Sequence, residues 1–254
     1  MDLQRIRRKV AFERFLARLF ATKPSPWVLK GGYALEVRFE ISRATKDLDL
    51  GTRLKVMGSI EQKKETLLKE LQRCAVLELD DHFTFQIGSP VKLIESAPGG
   101  GFRFSIRSIV AGRLFVAFAL DVGMGDALTP PTEEIKGDNL LELYGISPAH
   151  FEAISLEQQF AEKIHAMTVK RGNRENSRVK DLVDVVLLIE SGLNRKQVRQ
   201  CLENTFQCRE KLPVPSSAPT PPDSWQETFE RLAADCGLDY GFKKACNILS
   251  SYWQ

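Results

Sequence analysis

The sequence has few cysteines and no long apolar run. Five cysteines are dispersed over 254 residues, and none stands in a CxxC pair. An odd, scattered set is typical of reduced thiols and argues against a disulfide framework or a zinc site. No apolar stretch approaches the ~20 residues that a membrane-spanning helix needs, and the N-terminus lacks the apolar core of a secretory signal. We therefore expect a cytoplasmic protein without a membrane partner.

The composition is that of an ordinary globular protein, with 43% hydrophobic and 27% charged residues. This length accommodates one large domain or two modest ones. The net charge is only +3, but basic residues are concentrated in residues 1–60 and again in residues 163–180. Basic patches beside a carboxylate site suit a polyanion such as RNA or a nucleotide, whereas solvated helix faces are the alternative interpretation.

The stretch from Leu29 to Leu50 carries the strongest pattern. A short apolar run leads into Gly31 and Gly32, a helical segment follows, and the chain then turns into the strand-like sequence DLDL at 47–50. Alternate side chains of a strand share a face, so Asp47 and Asp49 point the same way. Mg²⁺ takes hard oxygen ligands, and glycines at a helix start let phosphates approach backbone N–H groups. The stretch predicts half of a nucleotide-triphosphate site; two solvated aspartates at a strand edge are the alternative.

A third carboxylate ends the apolar run RLFVAFALDV at 113–122. Its period places Asp121 on one face with small alanines that leave room beside the carboxylate. Aspartate at the end of a strand is often a turn former, but here it can serve as the additional carboxylate that a metal site needs.

The order of elements predicts an α+β fold. Strands and helices mix in the first half: a domain of mixed sheet and helices is expected over residues 1–138. Helical periodicity dominates afterwards, which predicts an all-α domain over residues 139–254 that completes the active-site cleft. In that half, Lys163 lies mid-helix, and Asp181 and Asp184 lie three apart on the next helix.

These motifs together resemble the AbiEii/AbiGii toxin nucleotidyltransferase family, to which MenT-type toxins are related. The matching segments are KGGYAL at 30–35, Arg43 and Thr45 before the DLD of 47–49, Glu162-Lys163, and RVKDLVD at 178–184. The likeness runs over about residues 28–187.

The resemblance implies that residues 1–138 form a nucleotidyltransferase domain of mixed sheet and helices, and that the chain transfers a nucleoside monophosphate from an NTP to an acceptor. Asp47, Asp49 and Asp121 would hold Mg²⁺, with Asp121 as metal ligand or as general base. Thr45 would contact a phosphate or accept the transferred group, and Asp181 would orient Lys163 or bind the nucleotide. The catalytic set is then Asp47, Asp49, Asp121, Lys163 and Asp181, and the nucleotide- and phosphate-binding set is Lys30, Gly31, Gly32, Arg43, Thr45, Arg178 and Lys180.

The expected function is that of a type IV toxin–antitoxin nucleotidyltransferase with an RNA acceptor such as tRNA and a cognate antitoxin as partner. Two alternatives remain open at the level of sequence. The acceptor can be a protein or a small molecule, or the chain can be a nucleotide- or RNA-binding module without turnover.

Overall fold

The computed structural model describes residues 2–39, 44–95, 97–169, 176–209, 211 and 213–253. It contains two compact units. The first includes residues up to Arg38, Ala44–Asp126 and Thr132–Ala153, and the second is built mainly from Ile154 onward. The predicted α+β class is confirmed. None of the described helices is both long and apolar enough to cross a bilayer.

The first unit is built on one mixed sheet. The strands are β1 Trp27–Lys30, β2 Asp47–Thr52, β3 Phe83–Ile87, β4 Lys92–Leu93, β5 Gly101–Val110, β6 Arg113–Met124, β7 Glu133–Lys136 and β8 His150–Ala153. Their order in the sheet is β3-β5-β6-β2-β1-β8-β7, with β4 also paired to β5. The pairs β2/β6 and β1/β8 are parallel, and the other neighbouring pairs are antiparallel.

Three helices accompany this sheet: α1 Leu3–Leu19, α2 Gly31–Arg38 and α3 Ile60–Ala75. Phe12 and Phe15 of α1 pack edge-on against Phe118 of β6, with ring centroids 4.8 and 5.8 Å apart. All three rings are buried. The apolar side of α1 thus covers one face of the sheet, as its helical period predicts.

A buried ion pair ties α1 to the segment before β3. Arg18 donates to both carboxylate oxygens of Asp81, at 2.8 and 2.7 Å, and both side chains are 1% exposed. Burial raises the pKa of Asp81, but the hydrogen bonds from Arg18 and the Phe83 N–H and the charges of Arg18 and Arg14 outweigh it. The net pKa is lowered.

The hairpin of β5 and β6 contains a β-bulge. The paired register shifts between Ser108 and Ile109: Ser108 is opposite Val116, whereas Ile109 is opposite Leu114. The buried Ser108 hydroxyl donates to the Val116 carbonyl at 2.8 Å and accepts the Val116 N–H at 3.2 Å. One extra residue, Phe115, is accommodated in β6 at this point.

The second unit is helical, as expected. Its helices follow the predicted periodic segments: α4 Leu156–Thr168, α5 Val179–Glu190, α6 Arg195–Arg209, α7 Gln226–Asp235 and α8 Phe242–Trp253. Ser155 caps α4 by accepting the Gln158 N–H. The proline-rich segment between α6 and α7 contains one described 3₁₀ turn, Asp223–Trp225.

The sheet unit extends past the boundary that we placed at residue 138. The segment 123–138 before this boundary contains the end of β6 and all of β7. Strand β8 pairs with β1 on one side and with β7 on the other. These late strands are four residues long and carry polar side chains, so they give only a weak strand pattern.

Candidate active site

The three predicted carboxylates lie on two neighbouring strands. Asp49 of β2 is directly opposite Asp121 of β6 in the parallel ladder, and Asp47 is opposite Ala119. Side chains of directly paired residues share a face, and so do residues two apart on one strand. The structure therefore brings Asp47, Asp49 and Asp121 to one face of the sheet.

Basic residues extend this set on both sides. Lys30 of β1 is opposite Asp49, and Arg103 of β5 is opposite Asp121. Four strands thus contribute one row across the sheet, Lys30–Asp49–Asp121–Arg103. We call these four residues, together with Asp47, the carboxylate row.

Arg103 contacts two carboxylates of the row. Its Nε and Nη2 donate to the two oxygens of Asp121, each at 2.6 Å, and Nη2 also lies 3.3 Å from Asp47 Oδ2. The hydrogen bond to Asp121 is the largest cause that raises the pKa of Arg103. Sequence reasoning missed this residue, because an arginine alternating with Phe102 and Phe104 signals only the solvent side of a strand.

Lys30 contacts Asp126, a carboxylate that the sequence patterns do not single out. Its Nζ lies 2.5 Å from Asp126 Oδ2, and the Asp126 side chain is 1% exposed. Asp126 also lies close to the backbone of Gly123, where an added Cβ would approach Asp126 Oδ2 to 2.6 Å. The sequence predicts that Lys30 binds a phosphate, whereas in the structure its ammonium group pairs with the buried carboxylate of Asp126.

The glycine turn between β1 and α2 is shaped around Asp49. Gly31 has φ +68°, and a Cβ built on it would lie 2.6 Å from the Asp49 carboxyl carbon. A side chain at this position would be strained by its backbone conformation and would displace the carboxylate. A glycine is therefore needed at position 31 both for the backbone conformation of the turn and because the Asp49 carboxylate lies so close.

We expect Gly31→Ala to destabilise the sheet unit more than a backbone penalty alone explains. The left-handed conformation costs a non-glycine residue ~1–2 kcal/mol, and the clash with Asp49 adds to it. The free energy of unfolding, from urea titration, measures the loss. Gly112→Ala is the matched control, because Gly112 has φ +74° and an added Cβ meets nothing within 4 Å. Equal losses in the two variants would contradict the role of Asp49.

Thr45 is buried immediately before β2. Its N–H donates to Glu36 Oε2 at 2.9 Å, and its hydroxyl donates to the Asp47 carbonyl at 3.4 Å. The other oxygen of Glu36 accepts from Arg5 Nε at 2.9 Å. Thr45 is thus fixed beside Asp47, and Arg43 lies outside the described residues.

The helical unit brings together its own predicted set. Lys163 of α4 lies 2.6 Å from Asp184 Oδ2 and 3.2 Å from Asp181 Oδ1, both on α5, and all three side chains are at most 10% exposed. Arg178 Nη1 lies 3.4 Å from the other oxygen of Asp181. Lys180 is exposed on α5.

A family model describes the chain over most of its length. The model of "Nucleotidyl transferase AbiEii toxin, Type IV TA system" matches residues 14–241. The chain belongs to the AbiEii nucleotidyltransferase toxin family. The resemblance seen in the motifs is confirmed, and the chain is accordingly a nucleotidyltransferase toxin with an NTP substrate and an antitoxin partner.

Solved structures share the fold at low sequence identity. MenT4, a nucleotidyltransferase toxin from Mycobacterium tuberculosis H37Rv, is 15% identical with a TM-score of 0.57, over 95% of this chain and 86% of its own. JHP933 from Helicobacter pylori is 15% identical with a TM-score of 0.52, over 100% and 94%. No curated protein sequence matches significantly.

The three aspartates of this AbiEii chain suit a metal ion that takes some of its ligands from the substrate. Within the described part of the chain, no group of three or more His, Cys, Asp or Glu residues could hold a metal ion. Mg²⁺ is usually bound by one or two carboxylates together with waters and substrate phosphates rather than by an all-protein cage. Asp47 and Asp121 have partly exposed side chains, so they suit an ion that keeps its other ligands.

We expect Lys163→Met to destabilise the helical unit by about 3–5 kcal/mol, because it leaves two buried carboxylates without their shared cation. Chemical denaturation followed by circular dichroism measures the loss. Lys180→Met removes an exposed lysine from the same helical pair and should change stability by less than about 0.5 kcal/mol. A Lys163→Met variant as stable as Lys180→Met would show that Asp181 and Asp184 are not held by Lys163.

Proposed function

We propose that this AbiEii protein transfers a nucleoside monophosphate from an NTP to an RNA acceptor in a Mg²⁺-dependent reaction, and that the acceptor is a tRNA. The observation that carries the proposal is the convergence of Asp47, Asp49 and Asp121 on one face of adjoining strands. Carboxylates that would otherwise repel one another are suited to a divalent cation.

The proposed roles follow from the chemistry of phosphoryl groups. Asp47, Asp49 and Asp121 would hold Mg²⁺, and the ion would offset the charge of the triphosphate and of the departing pyrophosphate. Asp121 is either a metal ligand or the base that takes the proton of the acceptor hydroxyl. Gly31 and Gly32, at the start of α2, give phosphates access to backbone N–H groups.

The remaining assignments extend the same proposal. Lys163 supplies a positive charge to the nucleotide, and its contact with Asp181 Oδ1 supports an orienting role for that carboxylate. Arg178 and Lys180 contact phosphates of the nucleotide or of the acceptor. Thr45 contacts a phosphate or accepts the transferred group itself.

An RNA acceptor is supported by basic residues on the hairpin of β5 and β6. Arg107 lies on the same face of β5 as Arg103, since the two residues are four positions apart in the strand, and it is exposed. Arg113 is exposed at the start of β6. Guanidinium groups pair well with phosphates, so these residues suit a nucleic-acid backbone that leads to the carboxylate row. NTP and tRNA are both cytoplasmic, and we place the protein there.

The test is a transfer assay with each α-labelled NTP, Mg²⁺ and either total tRNA or an aminoglycoside as the added acceptor. Label incorporated into tRNA, and lost on chelation of the metal, is the expected result. Label on the protein itself would redirect the proposal to Thr45 or another internal acceptor, and label on an aminoglycoside to a small-molecule acceptor. Absence of transfer to all three acceptors would refute the proposed reaction.

A further inference from the structure

The contacts of Arg103 use the oxygens to which the metal is assigned. Its guanidinium pairs with both oxygens of Asp121 and reaches Asp47 Oδ2 at 3.3 Å. Carboxylate oxygens have further lone pairs, but a guanidinium and a divalent cation placed a few ångströms apart repel strongly. Arg103 in this position therefore disfavours a metal ion that would be held by Asp47 and Asp121.

The guanidinium also has a structural effect. Three carboxylates on adjoining strands repel one another when no cation lies among them. Arg103 is attracted electrostatically by Asp121, Asp47 and Asp49 together. The carboxylate row is thus partly neutralised by the chain itself.

The surroundings of Arg103 leave its side chain partly open to solvent. Its side chain is 37% exposed, and Ser105, the next residue on the same face of β5, is small and exposed. An arginine that leaves a carboxylate needs another anion, and a phosphate accepts the same bidentate pairing.

We propose that Arg103 is a resident counter-cation of Asp121 and Asp47, and that it leaves them for the triphosphate when the metal enters together with the NTP. This inference rests on the proposed function. A free metal ion must break the Arg103–Asp121 pair without compensation, whereas a metal–nucleotide complex brings the anion to which the guanidinium moves. Metal and nucleotide binding are therefore coupled through one side chain.

Metal binding without nucleotide is the direct measurement. Mn²⁺ binding is followed by the electron paramagnetic resonance signal of the free ion, for wild type, Arg103→Gln and Arg107→Gln. Arg103→Gln should bind Mn²⁺ about tenfold more tightly than wild type, since it removes a partly screened cation from the site. Arg107→Gln removes the same charge from the same face of β5 and should stay within about twofold.

The coupling is measured by adding the α,β-methylene analogues of the four NTPs. The analogue should increase Mn²⁺ affinity in wild type by a larger factor than in Arg103→Gln, because the variant has no guanidinium to release. Without nucleotide, Arg103→Gln should have the lower melting temperature, and Mn²⁺ should raise it more than it raises that of wild type.

Equal or weaker Mn²⁺ binding by Arg103→Gln would overturn the inference, and so would a matching gain in Arg107→Gln. Neither result would affect nucleotidyl transfer by the wild type, which is assayed separately. Conversely, tighter Mn²⁺ binding by Arg103→Gln in a protein that transfers no nucleotide would support the competition and refute the proposed function.

Discussion

Asp121→Asn should reduce nucleotidyl transfer by about a thousandfold or more, which corresponds to the several kcal/mol that a correctly held cation contributes. Asparagine keeps the shape of the side chain and removes its charge. The fold should persist, because the Asp121–Arg103 pair is partly exposed and such pairs are worth at most ~1 kcal/mol. Single-turnover transfer of labelled nucleotide, together with the melting temperature, measures both effects.

Glu134→Gln is the matched control for this variant. Glu134 lies on β7 of the same sheet, and its ion pair with Lys23 is exposed. Its transfer rate should equal that of the wild type. An Asp121→Asn protein that keeps more than about a tenth of wild-type activity, a loss of under ~1.4 kcal/mol, would exclude the carboxylate row as the reacting centre.

The two roles left open for Asp121 differ in their effect on metal binding. If Asp121 is a ligand, Asp121→Asn should weaken binding of the Mn²⁺–nucleotide complex as Asp47→Asn does. If it is the general base, binding should remain and only the transfer step should slow.

Arg18→Met should lower the free energy of unfolding by about 3–5 kcal/mol, because it leaves the carboxylate of Asp81 buried without its bidentate partner. Arg14 Nη1 remains 3.8 Å from Asp81, so a value near the lower limit is expected. Urea denaturation at neutral pH gives the number. Arg113→Met, which removes an exposed arginine, should cost less than about 0.5 kcal/mol.

Replacing both partners distinguishes loss of the pair from loss of packing. Arg18→Met combined with Asp81→Leu leaves no buried charge, and it should recover more than half of the stability lost in Arg18→Met. A double variant no more stable than the single one would show that Asp81 is not the origin of the loss.

The pH dependence of stability should also change. The pKa of Asp81 is lowered in the folded wild type, so the pair stabilises the fold above the unfolded pKa, and this contribution is lost as the pH falls through the folded value. In Arg18→Met, burial raises the pKa of Asp81 and protonation in the folded state becomes favourable. The stability difference between wild type and variant should therefore shrink as the pH falls from neutral towards acid.

Local spacing was sufficient to single out the three aspartates that the structure brings to one face of the sheet. The glycine turn and the two aspartates of β2 lie within one short pattern, and the aspartate of β6 ends another. Parallel pairing of β2 with β6 then aligns the aspartates. Lys163 and Asp181, which the family resemblance selects on two helical segments, contact each other in the structure, and their part in the reaction stays a prediction.

Arg103 and Asp126 could not be found from such patterns. The contact of Arg103 with Asp121 depends on the register of a long hairpin, and Asp126 reaches Lys30 across 96 positions of sequence. The strands β7 and β8 were missed because four residues with polar side chains do not establish a period. These contacts and strands depend on pairing between distant segments of the chain, which local sequence patterns do not encode.

The bulge at Ser108 has a practical consequence. A two-residue turn at Ala111 and Gly112, continued in strict register, would pair Asp121 with Phe102 and direct its carboxylate into the core. The shift absorbed by Phe115 restores the pairing with Arg103. The bulge lies between the exposed turn and the Arg103–Asp121 pair, so it sets the alignment of Asp121 before the strand reaches that residue. The turn is therefore a suitable attachment point for a fluorescent reporter. Insertions of two residues there should leave Asp121 on the same face of the sheet.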